Sequence, residues 1–150
     1  MKKIFSGIIL LILVTIISCG KEDRPISQTD MWNCHNNSEW TDLKIRDELI
    51  GSWKWIYSEN FWASDKGRNT ENENTQIEFL SDSTLNIIID GEHKGTTKWI
   101  ITPKDGDLFG LKLDSPATTL LYGRILICGK IVEFNDSYLD GSDNYFERIE

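Results

Sequence analysis

The chain has 150 residues and carries 24 acidic against 16 basic side chains, a formal net charge of −8, with 39% hydrophobic residues. That balance argues against a nucleic-acid partner, which needs basic patches, and against lying flat on anionic lipid. One domain is expected at this length, burying roughly two thirds of the surface the unfolded chain exposes.

The chain opens MKKIFSGIILLILVTIISCGKED. Lys2 and Lys3 precede an apolar run from Ile4 to Ile17, shorter than the ~20 residues a membrane span needs. The run fits the apolar stretch of a secretion signal. It ends at Ile16-Ile17-Ser18-Cys19, which resembles the lipobox of bacterial lipoproteins. The resemblance implies a signal peptide over 1–18, cleavage before Cys19, and acyl chains such as palmitate on that cysteine. An ordinary signal peptide with a chance cysteine and an uncleaved anchor are the other readings. More than one acyl chain makes anchoring stable, at about 0.8 kcal/mol per buried methylene. Gly20 follows the cysteine where an Asp would mark retention at the inner membrane, so the resemblance points to the bacterial outer membrane. Lys21-Glu22-Asp23 resembles the export tag of surface lipoproteins in one group of Gram-negative bacteria. The periplasmic face and the cell surface both stay open. Residues 19–150 keep 14 basic and 24 acidic side chains, a net charge of about −10.

With Cys19 acylated, Cys34 and Cys128 remain as one pair in an oxidising compartment. A bridge would close a loop of about 95 residues, near 4–5 kcal/mol in the chain-entropy model. Two buried free thiols are the other reading.

Residues 20–37 are polar with no sustained period and read as a tether that becomes ordered near Trp32 and Cys34. SEWTDLKIRDELI, residues 38–50, reads as a short helix capped by Ser38, with Glu39 and Asp42 in its first turn. Trp40, Leu43 and Asp47 make a poor apolar stripe for it. From Gly51 the period is two. GSWKWIYS is the first strand, with Gly51, Trp53, Trp55 and Tyr57 on one face and Ser52, Lys54 and Ser58 on the other. A long polar loop over 60–74 carries Phe61 and Trp62 at its start. TQIEFL places Ile77 and Phe79 together, and TLNIIID alternates Leu85, Ile87 and Ile89 before the hairpin signal Asp90-Gly91. GTTKWIIT sets Thr97, Trp99 and Ile101 on one face, and LFGLKLD does the same for Phe109, Leu111 and Leu113. TTLLYGRILIC and KIVEFNDSYL are two more strands about Gly129, and NYFERI closes the chain after Asp140-Gly141. About eight short strands with turn signals suggest a sandwich or barrel, and an all-β antiparallel up-and-down barrel leaves no exposed edge. The domains expected are a signal peptide (1–18), a lipidated cysteine and tether (19–42) and a barrel (43–150).

Three stretches carry a second resemblance. They are LIGSWKWIYS with its Gly-x-Trp, IEFLSDSTL as strand–turn–strand, and DGSDNYFERI at the end. Together they resemble the lipocalin-like (calycin-type) domain of small bacterial lipoproteins, over most of residues 43–150. The resemblance implies a Trp at the closed end of the barrel with an Arg of the last strand across it, here Trp53 and Arg148. Phe146 and Arg148 share a strand face, so an inward Phe146 brings Arg148 inward too. An indole face offers that guanidinium about 0.5–2 kcal/mol of cation–π attraction. Trp55, Tyr57, Phe79, Trp99 and Phe146 are then the candidate lining of a ligand cavity, or the filling of a small barrel. The chain is shorter than secreted animal lipocalins and shows no convincing terminal helix against the barrel, which leaves room for a smaller cavity or none.

Catalytic chemistry is sparse. His35 and His93 are the two histidines, and no His/Cys spacing suggests zinc. No nucleophile elbow or phosphate loop occurs. Asp136, Asp140 and Asp143 read as turn chemistry rather than an acidic rim. Asn36-Asn37-Ser38 matches a glycosylation sequon, of little weight in a bacterium, and Asp82-Ser83-Thr84 resembles an O-glycosylation site. No cofactor, no metal and no enzymatic activity are expected. The expected function is a non-catalytic, lipid-anchored cell-envelope lipoprotein that holds a small apolar or amphipathic molecule. The alternative is a protein-binding module (an inhibitor, an immunity lipoprotein or an accessory subunit of a surface complex), motivated by the acidic charge and by Phe61 and Trp62 as contact residues.

Overall fold

The computed structural model describes residues 26–61 and 68–149. Cys19 and Trp62, and with them the lipobox and part of the Phe61–Trp62 loop, lie outside those residues. The chain begins with α1 (Gln28–Asn36) and α2 (Asp42–Leu49) and continues into strands. These are β1 (Gly51–Glu59), β2 (Arg68–Asn69), β3 (Thr75–Phe79), β4 (Thr84–Ile89), β5 (Glu92–Pro103), β6 (Phe109–Leu113), β7 (Arg124–Cys128), β8 (Ile131–Asn135) and β9 (Asp143–Ile149). All pairings are antiparallel, and eight strands run in the order β6-β5-β4-β3-β1-β9-β8-β7 around a nearly closed barrel. The expected all-β barrel is the observed fold. The short β2, inside the expected polar loop, pairs with Ser58 and Glu59 off this path.

Period-two alternation explains the strands. Trp53, Trp55, Ile77, Phe79, Leu85, Trp99, Leu111, Ile125, Ile127, Val132, Phe134 and Phe146 form one buried cluster fed by every strand of the path. Their neighbours in sequence face outwards. The Asp90-Gly91 hairpin forms with both residues at positive φ, 54° and 75°, as a tight primed turn requires.

Both helices differ from expectation. The polar stretch read as a tether holds α1, because Ser27 and Asp30 close a capping box in which each side chain takes the other residue's backbone N–H. The cap of α2 is Thr41, whose Oγ1 accepts from Lys44 N at 3.2 Å, and not Ser38. Its buried residues are Ile45 and Leu49, one turn apart, while Leu43 is 68% exposed. Ile45 and Leu49 join the barrel cluster, so α2 stops one end of it. Arg46 fastens this plug by bonding Ser83 Oγ (3.0 Å) and Ser81 O (2.5 Å) while lying 4.8 Å from the Trp99 ring centroid.

Residues 119–121 and 137–139 are short 3-10 turns rather than strand. The strands expected on either side of Gly129 are therefore shorter than the sequence suggests.

Candidate functional site

The inward aromatics are occupied with each other. Trp53, Trp55, Phe79, Trp99 and Phe146 are all 0% exposed. Phe79 meets Trp99 edge-on at 5.0 Å, and Phe134 meets Phe146 likewise at 5.7 Å. Each indole N–H has an internal acceptor: Leu49 O for Trp53 (2.8 Å), Asn144 Oδ1 for Trp55 (3.1 Å) and Thr84 O for Trp99 (3.1 Å). A ligand would have to displace both the packing and these bonds. Arg148 lies over Trp53 at 4.3 Å and donates to Ile50 O at 2.9 Å and to Glu48 O. It thereby caps the carbonyl end of α2, where orphan acceptors and the helix dipole favour a cation.

Tyr57 does not join its expected neighbours. The β1–β9 register slips between Trp55 and Tyr57. Trp55 opposes Phe146, but Tyr57 opposes Tyr145, so one extra residue moves Tyr57 to the outside of the barrel. The bulge around Ile56, an apolar residue between Lys54 and Ser58 on the otherwise polar face of the strand, is the physical reason.

On that outer face a transverse row runs Leu126, Glu133, Tyr145, Tyr57 across β7, β8, β9 and β1. The Tyr57 and Tyr145 rings stack at 4.4 Å. α1 covers the row. Met31 packs with Tyr57, Leu126 and Tyr145 as a second buried cluster. The Tyr57 hydroxyl donates to Ile26 O at 2.9 Å, and Gln28 Nε2 to Asp143 Oδ2 at 3.1 Å. At the far end of α1 the expected pair is bridged, with Cys34 and Cys128 joined at 2.01 Å. Beside it, His35 Nδ1 accepts the backbone N–H of Ile127 at 3.0 Å, an amide on the last strand of the path. Trp40 stacks on His35 at 4.8 Å. Burial holds the imidazole pKa down to about 4, so His35 is a neutral acceptor.

Glu133 is the anomaly in this layer. It is 0% exposed, its Oε1 accepts from Asn135 Nδ2 at 3.0 Å, and neither its Oε2 nor the Tyr145 hydroxyl has a hydrogen-bond partner. Burial pushes the Glu133 carboxyl up to about 8, against a downward pull from the Asn135 amide and the Tyr145 hydroxyl, while the nearby Asp143 and Glu59 push it further up. Burial also raises Tyr57 to about 12 and moves Tyr145 upward. Asp143 is better served. It accepts from Asp136 N, Ser137 N and Ser137 Oγ, each at 2.9 Å, besides Gln28, and burial still shifts it upward.

Next to this layer opens a cleft of about 290 Å³. Trp32 of α1, Phe61 and Tyr138 give it aromatic walls, while Gln28, Asn135 and Ser137 supply polar groups. Arg124 also lines it, stacked 3.7 Å from the Tyr138 ring and bonded to Asp105 at 2.7 Å. Phe61 is 44% exposed. A second cleft, about 440 Å³, lies between His35, Trp40, Asp107 and Leu108, and a third, about 340 Å³, between Lys54, Gln76 and Asp90. None of the three is lined by Trp55, Phe79, Trp99 or Phe146.

The remaining candidates lie apart. His93 is exposed, with Nε2 at 2.9 Å from Thr96 Oγ1. Asp143 is buried, while Asp140 is exposed in a turn at φ 63°. Sequence reading missed His35, Glu133, Asn144 and Arg46. Each sits in a polar or alternating stretch that reads as solvent-facing until the covering helix or the barrel end is in place. Among the described residues no group of three or more His, Cys, Asp and Glu could hold a metal ion, and no helix is long and apolar enough to cross a membrane. No family model, no curated protein and no solved structure matches the chain.

Proposed function

We propose that this is a non-catalytic, lipid-anchored cell-envelope lipoprotein whose lipocalin-like barrel is a rigid scaffold, and that it binds a protein partner on its outside. Acyl chains on Cys19 would hold it at the outer membrane. The supporting observation is that the three interior indoles spend their N–H groups on Leu49, Asn144 and Thr84 inside a fully buried cluster. The Trp32–Phe61–Arg124–Tyr138 cleft carries the residue types that dominate protein contacts, an aromatic set with one arginine. The test is a photo-crosslinking residue at position 61, with the same residue at Ile100 on β5 as control, in cells making the whole chain. One discrete protein adduct at 61, lost on Trp32→Ala and absent at 100, is expected. Equal adducts at both positions sink the reading. Cys19→Ala should lose the acyl mass and the membrane association, and a variant that stays anchored refutes the lipid anchor.

The competing reading, a small apolar ligand, is favoured by the inward aromatics alone. Native mass spectrometry of the purified chain separates the two: a stoichiometric extra mass that leaves on denaturation supports the ligand.

A further inference from the structure

We infer that α1 is a protonation-controlled latch: neutral Glu133 seats the N-terminal half of α1 on the outer face of the barrel, and its ionisation lifts that half and opens the cleft beside Trp32. The latch stands independently of what the cleft binds.

The geometry is that of a hinge. The C-terminal half of α1 is pinned by the Cys34–Cys128 bridge and by His35 on the Ile127 amide. The N-terminal half is held by Gln28 on Asp143, the Ile26 carbonyl on Tyr57, and Met31 packed over Tyr57, Leu126 and Tyr145. Glu133 lies in that same transverse row, between Leu126 and Tyr145. A carboxylate without a counter-ion in a dry layer is costly, whereas a carboxylic acid can give its proton to the Tyr145 oxygen. Glu133 Oε2 and Tyr145 OH, two buried atoms with no hydrogen-bond partner, sit on opposed residues of β8 and β9 in this row.

Among the described residues the groups around Glu133 supply no cation to replace that proton. β1 contributes Tyr57 and Glu59, β9 contributes Tyr145 and Asp143, and β8 contributes Asn135. Arg68 of β2 lies 4.3 Å over the Tyr57 ring and is paired with Glu59 at 3.2 Å. Arg124 of β7 is held by Asp105. From α1, Gln28 is engaged with Asp143, and His35 sits at the other end with a pKa near 4, outside the window concerned.

The sign follows from linkage. The seated state holds the carboxyl proton up to about pH 8, against 4.5 for an unconstrained glutamate. The stability it lends is complete below pH ~4.5 and falls as pH rises towards about 8, by up to about tenfold in the opening constant per pH unit.

The experiment is amide hydrogen exchange on the whole purified chain in detergent between pH 6 and 8, with each rate divided by its intrinsic chemical rate. In the wild type the opening of residues 28–32 should rise at least about tenfold, while β1 amides at Trp53 and Trp55 stay constant. Glu133→Gln should flatten the profile, since Gln keeps the acceptor for Asn135 and offers a donor to Tyr145. Glu133→Met, an apolar replacement of similar length, should flatten it too and serves if the first variant folds poorly. A flat wild-type profile, or the same slope in the variants, overturns the latch.

Discussion

Arg148→Ala tests the barrel's closed end. The guanidinium meets three things at once: the Trp53 face at 4.3 Å, Ile50 O at 2.9 Å and Glu48 O. Its side chain is 29% exposed, so the cation–π contribution belongs at the lower end, about 1 kcal/mol. The two charge-assisted bonds to the carbonyl end of α2 add about 1–3 kcal/mol together after solvent screening. The Glu48 carboxylate, 3.9 Å away and 48% exposed, adds nothing measurable. The expected loss is about 2–4 kcal/mol, read from urea unfolding followed by tryptophan fluorescence. Arg148→Lys keeps the charge but not the fork and should lose about half as much. A double-mutant cycle with Trp53→Leu should give a coupling of about 0.5–2 kcal/mol. Gly51→Ala strikes the same contact, because Gly51 has φ 129° and an added Cβ would stand 2.8 Å from Arg148 Nη1. An Arg148→Ala loss below about 0.5 kcal/mol, or zero coupling, refutes the argument that this pair fastens α2 to the barrel.

Three further outcomes are expected. Replacing Cys34 and Cys128 together by Ser opens a loop with sequence separation 94 and should lower stability by up to about 4–5 kcal/mol, measured as the shift in the urea midpoint. Asn144→Leu leaves the Trp55 N–H buried without its acceptor and should cost about 1–3 kcal/mol, whereas adding Trp55→Phe should recover part of it. His35 has its folded pKa lowered to about 4, so its stability is complete above pH 6.5 and is lost as pH falls from 6.5 to 4. Stability curves of the wild type and His35→Gln should converge in that acid range, and parallel curves contradict the neutral acceptor.

The barrel was legible because strand alternation and Gly/Asp turns are local signals. Trp99 flanked by Lys98 and Ile100, or Asp90-Gly91 after the apolar run Ile87–Ile89, needs no tertiary information to be placed. Trp53 and Arg148 were also findable, since strand parity fixes which way Arg148 points once Phe146 is inward. Tyr57 was misplaced because a bulge inverts parity and leaves no mark except Ile56. α1 was misread because its stripe is weak: Met31 and His35 are the residues it buries, and its staple comes from Cys128, 94 residues away.

These misreadings share one physical origin, which also bears on where function sits. A two-sided strand read from sequence has an apolar face assigned to the core and a polar face assigned to water. On β7, β8, β9 and β1 the polar face is covered by a helix that the sequence disguises as a tether. Glu133 between Val132 and Phe134 therefore looks like an ordinary solvent-facing residue, yet it is 0% exposed. Burying it in its ionised form is costly. A core-filling residue at that position would pack Met31, Leu126 and Tyr145 better. Among the described residues the barrel interior contains nothing comparable, because each interior indole N–H finds an acceptor. The groups left without a partner, Glu133 Oε2 and Tyr145 OH, lie under α1 and beside the cleft that α1 helps to form. The buried carboxyls among the described residues, Glu133 and Asp143, both belong to the seam that α1 covers.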